Sequence, residues 1–261
     1  MIRERSLLEQ IGVVARRSAV ATYRQRALLV FPMVFPLILF AINGSALSKA
    51  TEIPGFPTSS YRAFLIAMPF VQGAMFVSIS AGTSLARDIE TGFLNRLALT
   101  PLRSEAMLVG QLGGAFVLGC VQAVVYLLVG FATGVGFASG AGGVLVLLLL
   151  SIAISFAFAC LGGLLALRLG SGEAIQGIFP LLFVTLFLSS STLPRNLIKA
   201  EWFREIATYN PVSYLLEGLR SLVITGWDAQ ALELAFSFAL LLAVISLALS
   251  GTAMKSRLVR T

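Results

Sequence analysis

Six charged side chains, Arg87, Asp88, Glu90, Arg96, Arg103 and Glu105, crowd the stretch ARDIETGFLNRLALTPLRSE at 86–105, between long runs that carry no charge. Arginine and carboxylate side chains at this density suit docking to another protein, where charge fixes orientation and apolar neighbours such as Phe93 and Leu97 fill a groove. They do not suit covalent chemistry. The chain has no histidine, which removes the usual proton shuttle and makes haem and most zinc or iron sites improbable. A phosphate-binding loop needs G-x-x-x-x-G-K-[ST], and none of Lys49, Lys199 and Lys255 follows a glycine, so the chain does not hydrolyse ATP by that means. No Ser, Asp or Lys cluster in the apolar runs has nucleophile-and-base spacing. Cys120 and Cys160 also fall inside those runs, where a small packing role is the expectation.

The elements around the charged stretch are those of an all-α integral membrane protein. Of 261 residues, 57% are hydrophobic and 12% charged, against roughly 25% charged in soluble domains, and the mean hydropathy is +0.92. About 20 apolar residues at 1.5 Å each cross the hydrocarbon. Uncharged runs of that length predict six transmembrane helices, at about 27–47, 63–86, 106–133, 144–167, 174–193 and 234–254. The glycine-rich GVGFASGAGG at 134–143 separates the third from the fourth. An even number of spans puts both termini on one side. Thirteen of the 19 Lys and Arg then share that side, while the acids divide equally. The positive-inside rule makes it cytoplasmic. The basic pI of about 10.0 therefore reports topology and contact with anionic lipid, and no nucleic-acid binding is expected.

Two segments are amphipathic without spanning. Residues 1–26 space Leu7, Ile11 and Val14 as a helix does, with Arg16, Arg17 and Arg24 free for headgroups, which predicts a helix in the cytoplasmic interface. Residues 194–228 balance four bases with four acids and hold Trp202, Phe203, Tyr209, Tyr214 and Trp227. They parse as two short re-entrant or interfacial helices, within about 198–224, broken at Asn210-Pro211. Glu217 and Arg220, three apart, are expected to pair with one another. A short helix at about 88–100 should put Ile89, Phe93, Arg96 and Leu97 on one face and end at Thr100-Pro101.

E-x-G-x-L-x-R-L-x-x-T-P-L at 90–102 resembles the cytoplasmic coupling segment of ATP-binding-cassette (ABC) type-2 transporter permeases. YNPVSYLLEGLRSLV at 209–223 resembles their NP-x-x-Y-x-x-E-x-x-R stretch before the last span. Taken with the span plan, the similarity covers the whole chain and is nearest the daunorubicin-resistance-type subgroup. Thr91 departs from that subgroup, which often has a basic residue there. The resemblance implies a permease subunit of an exporter in a bacterial plasma membrane, moving a hydrophobic or amphipathic drug or lipid outward. Two ATPase subunits, which bind the ATP and magnesium, would dock on Asp88, Glu90, Gly92, Phe93, Arg96, Leu97 and Pro101 and on the N-terminal helix. No cofactor is expected in this chain. A second permease chain would complete the pathway, and Asn210, Pro211, Tyr214, Glu217 and Arg220 would form the extracellular gate region. Export of polysaccharide or another lipid-linked glycan is the alternative within the family, and a secondary transporter the alternative outside it.

Overall fold

The computed structural model describes the backbone of residues 6–24, 26–98 and 104–259, and the side chains of these except 21–24, 26–29, 95, 97, 98, 104, 105 and 255–259. The described residues form helices and no strand. Ser6 and Glu9 open α1 (Leu7–Arg24) as a reciprocal capping box: the Ser6 hydroxyl accepts from the Glu9 amide at 3.3 Å, and the Glu9 carboxylate accepts from the Ser6 amide at 3.0 Å. α2 (Arg26–Ala46) follows, then a short 3₁₀ turn and α3 (Tyr61–Leu65). α4 (Ala67–Glu90) continues from α3 almost without interruption, and Gly92, at φ +66°, turns the chain into α5 (Phe93–Ala98). That left-handed conformation is open to glycine at little steric cost.

α6 (Ser104–Gln111) and α7 (Gly113–Ala132) lead by a short loop into α8 (Gly140–Leu169) and then α9 (Gly172–Phe187). α10 (Glu201–Tyr209) and α11 (Pro211–Ile224) precede α12 (Ala229–Val259). Four described helical segments are long and apolar enough to cross a bilayer: Tyr61–Glu90, Gly113–Ala132, Gly140–Leu169 and Ala229–Met254. Two shorter apolar helices, Val30–Ala46 and Gly172–Phe187, accompany them. The third expected span, 106–133, is broken at Leu112 into α6 and α7.

α4 is the axis of the bundle. Its apolar window is 89% buried inside the chain, against 22% for α12 at the periphery. α8 lies along it so closely that a Cβ on Gly162 would overlap the Ser78 carbonyl oxygen. Without a hydrophobic drive between helices in lipid, such small-residue approach is what lets them pack. A second cluster, including Leu85, Leu94, Met107, Leu167, Ile175 and Met254, closes the end of the bundle that carries α5 and the C-terminal part of α12. Two prolines, Pro32 and Pro36, lie inside α2. Pro36 has no amide to donate to the Pro32 carbonyl, and α7 repairs the loss: Tyr126 Oη donates to it at 3.0 Å and Gln122 Nε2 at 3.3 Å. Gly162→Leu is expected to separate α4 from α8 and to destabilise the purified protein by about 3 kcal/mol or more, read as a lower midpoint of denaturant unfolding in micelles. An unchanged midpoint contradicts the assigned packing.

Candidate functional site

At the end of the bundle bearing the second cluster, four elements converge on one ion pair, Arg17 with Asp88. Arg17 of α1 donates through both terminal nitrogens to the two oxygens of Asp88, each at 3.3 Å, and its Cζ lies 3.6 Å from the centre of the Phe93 ring. Gln111 Nε2 donates to the same Asp88 at 2.8 Å. The planar guanidinium can bind a carboxylate in its plane and stack an aromatic ring on its face, which lysine cannot do. Next to Arg17 in α1, the buried Ser18 hydroxyl seals the α6–α7 break, donating to the Gln111 carbonyl at 2.8 Å and accepting from the Gly114 amide at 3.2 Å. Glu90 reaches the start of α9 and accepts from the Gly172 amide at 3.1 Å, a carboxylate on a helix N-terminus.

The residues expected to meet a partner therefore divide into two groups. The helix expected over 88–100 begins at Phe93, so Asp88 and Glu90 belong to α4 and, with Phe93, hold the chain to itself. Gly92 is the turn. Arg16 and Arg96 are exposed, and among the described residues Arg96 has a 3.5 Å contact back to the Thr91 carbonyl. Pro101 and the side chains of Leu97 and Arg24 lie outside what the structure describes.

At the opposite end, the NP-x-x-Y-x-x-E-x-x-R residues knit α10 and α11 to the loop after α9. Asn210 caps α11, its side-chain oxygen accepting from the Val212 amide at 2.9 Å, with Pro211 at the first helical position. Its amide donates to the Thr185 carbonyl at 2.6 Å. Tyr214 Oη donates to the Thr208 carbonyl at 2.9 Å. The expected Glu217–Arg220 pair is not formed. Glu217 accepts from Arg195 Nε at 2.6 Å, is bridged by a second Arg195 nitrogen, and accepts from the Ser190 hydroxyl at 3.0 Å.

Arg220 points inward, 6% exposed, and donates to the carbonyls of Phe64 (2.9 Å), Ser190 (3.1 Å) and Ser191 (3.3 Å), stacking 3.5 Å over the Phe64 ring. The physical reason is demand. Carbonyls past the end of α9 and at α3 would otherwise be buried without donors, and one guanidinium satisfies three of them. Burial pulls its pKa below the ordinary value, against the opposing pull of Glu217 and Tyr61. Arg195 escaped notice because nothing local marks it; its partner lies 22 residues away.

Between the two ends runs an aromatic strip. Phe31 and Phe35 of α2, Phe76 of α4, and Phe179, Phe183 and Phe187 of α9 form a continuous chain of ring contacts, with centroids 4.5 to 6.3 Å apart. The spacing of 179, 183 and 187, four apart, was a legible sign of one helical face. Little else in the chain covers α9, where only Ile175 and Leu186 are buried, and Val30, Phe31, Val34, Ile38 and Ile42 of α2 are exposed.

An all-α bundle of long apolar helices, with a clasped shelf at one end and a knitted cap at the other, is the architecture of a multi-pass membrane transport protein. Residues 9–224 match the family described as ABC-2 type transporter, and the chain belongs to that family. It is thus a membrane permease component, the part of such a transporter that is not the ATPase. It is similar to the daunorubicin resistance ABC transporter permease protein DrrB1 of Streptomyces coeruleorubidus, 28% identical over 225 residues, covering 79% of this chain and 75% of that protein. It is also similar to the putative transport permease ycf38 of Porphyra purpurea (22% over 266 residues, 97% and 91% of the two chains). The ycf38 of Pyropia yezoensis is 26% identical over 234 residues, covering 85% and 76%.

Removing Arg220 as Arg220→Met is expected to cost about 3 kcal/mol or more, because three buried carbonyls lose their donor. In a double-mutant cycle, Arg195→Ala and Glu217→Ala should couple by about 1–3 kcal/mol, against under about 0.5 for the exposed Glu201 and Arg204. Denaturant unfolding in micelles measures both, and additive Arg195 and Glu217 variants contradict the assigned pair.

Proposed function

We propose that this chain is the membrane half of an ATP-driven exporter that moves a hydrophobic or amphipathic substrate outward along the face shared by α2, α4 and α9. The aromatic strip carries this reading. Six phenylalanines in continuous contact, from Phe76, which is buried, out to the exposed Phe31 and Phe187, give an apolar track from the shelf towards the cap. The similarity to a daunorubicin resistance permease supports an amphipathic, ring-bearing or acyl cargo. The strip has neither tyrosine nor tryptophan, so it lacks the hydroxyl and indole donors that would orient a glycan.

On this reading the six apolar helices span a plasma membrane with the termini inside. A second permease chain covers the exposed faces of α2 and α9, so that two tracks enclose one path. Two cytoplasmic ATPase subunits dock on the exposed side of α5 and α1, where Arg96 and Arg16 are free to meet acidic side chains. The internally committed residues supply the transmission. A push on α5 reaches α4 through Gly92 and the Arg17 clasp, and reaches α9 through Glu90, so the helices bearing Phe76 and Phe179 move with it. The nucleotide and its magnesium belong to the ATPase subunits, which supply the energy.

Co-purification with an ABC ATPase subunit, followed by ATPase stimulation with lipids and amphipathic drugs, tests the reading. Arg96→Glu is expected to lower substrate-stimulated hydrolysis at least ~10-fold, or about 1.4 kcal/mol, with unchanged membrane insertion. Full stimulation in a correctly inserted Arg96→Glu variant contradicts docking on α5.

A further inference from the structure

The shelf end of the aromatic face opens into a groove of about 540 Å³ between α2, α4 and α9. Its lining is divided lengthwise. Phe31, Phe76 and Phe179 form one part, while Ser80, Thr83 and Arg87 follow at helical spacing down α4, with Gln176 opposite on α9. The Thr83 hydroxyl is spent on the Ile79 carbonyl at 2.8 Å. Arg87 and the Gln176 amide are exposed.

Arg87 is the one charged residue in the lining. Its acidic neighbours are already engaged: Asp88 by Arg17 and Gln111, and Glu90 by the Gly172 amide at the start of α9. Glu173 is exposed one turn nearer the start of α9 and does not line the groove. The ion pairs among the described residues leave Arg87 without a carboxylate. A planar cation with fixed donors, at the foot of a phenylalanine-lined slot, matches a phosphate oxygen pair joined to an acyl chain.

Resting on the α2–α4–α9 face as the substrate path, we propose that this groove is the loading site for a phospholipid of net negative charge. The lipid is taken from the leaflet at the shelf end. Its phosphodiester sits on Arg87 and Gln176, and its acyl chain lies against Phe76 and Phe179. A zwitterionic lipid offers the same phosphate but brings its own cation beside Arg87, and a cationic amphiphile places its charge against the guanidinium. The site therefore selects by headgroup charge, while the aromatic part accepts any apolar tail.

The test uses the full chain in phosphatidylcholine vesicles carrying a trace of a probe lipid with a photoreactive diazirine in its acyl tail. The probes are phosphatidylglycerol, phosphatidylcholine and a cationic dialkylammonium lipid, and labelled peptides are mapped by mass spectrometry. Phosphatidylglycerol is expected to label residues 76–87 and 176–183 at least ~5-fold more than the other two, the scale of one charge-assisted contact. Arg87→Gln should bring the three probes level, and Arg87→Lys should keep most of the preference. Equal labelling in the unaltered chain, an unchanged ratio in Arg87→Gln, or preference for the cationic probe overturns the proposal. So does full competition by soluble glycerol phosphate, which would make the site one for a free phosphate. The assay needs no ATPase. Failed selectivity alongside intact ATP-driven transport removes this site alone, and selective labelling without transport removes the exporter reading instead.

Discussion

Hydrocarbon offers no hydrogen bonds, so every interruption of a helix within the bundle has to be closed from inside the chain. That constraint accounts for several of the buried polar side chains of this protein. The Pro32 carbonyl, freed by Pro36, is met by Tyr126 and Gln122 of α7. The break between α6 and α7 is bridged by the Ser18 hydroxyl from α1. At the elbow between α10 and α11, Asn210 serves the Val212 amide and the Thr185 carbonyl. Arg220 holds three carbonyls around the loop after α9. Each repair joins elements far apart in sequence, so satisfying the backbone also assembles the fold.

The same economy separates rigid parts from available ones. Asp88, Glu90 and Phe93 lie in a segment that resembles a docking motif, yet they bind α1, α6 and α9 of their own chain. Arg96 on α5 and Arg16 on α1 are exposed and take part in no ion pair among the described residues. A motif can thus serve a partner indirectly, by making the surface that the partner touches stiff enough to transmit a displacement. α4 is suited to that role. Its 24 residues span about 36 Å at 1.5 Å per residue. It carries Phe76 in the aromatic strip, Arg87 at the groove and Asp88 in the clasp on one helix.

Much of this was legible in the sequence because membrane spans and helix ends follow from one-dimensional signals. Uncharged length marks α2, α4, α8, α9 and α12 and the run that holds α6 and α7, and Asn210-Pro211 marks the elbow. Partner choice was not legible. Glu217 and Arg220 are three residues apart, a spacing that suggests a pair on an isolated helix, but burial decides otherwise. Arg220 turns to carbonyls that have no other donor, and Glu217 takes Arg195 from the preceding loop. The break at Leu112 was hidden for a related reason: a hydroxyl from α1 allows a helix interruption that the uncharged sequence 106–133 does not announce. The stacking of Arg17 on Phe93, across more than seventy residues, belongs to the same class.

The proposed exporter moves its cargo only when a separate ATPase drives it. Proteoliposomes holding the chain together with the ABC ATPase subunit that co-purifies with it, loaded with a fluorescent amphiphile whose movement between leaflets is followed by chemical quenching, measure this directly. ATP-dependent movement from the shelf-side leaflet to the cap-side leaflet is expected, absent when either protein is omitted or ATP is replaced by a non-hydrolysable analogue. Equal movement by this chain alone, without ATPase or ATP, would contradict it.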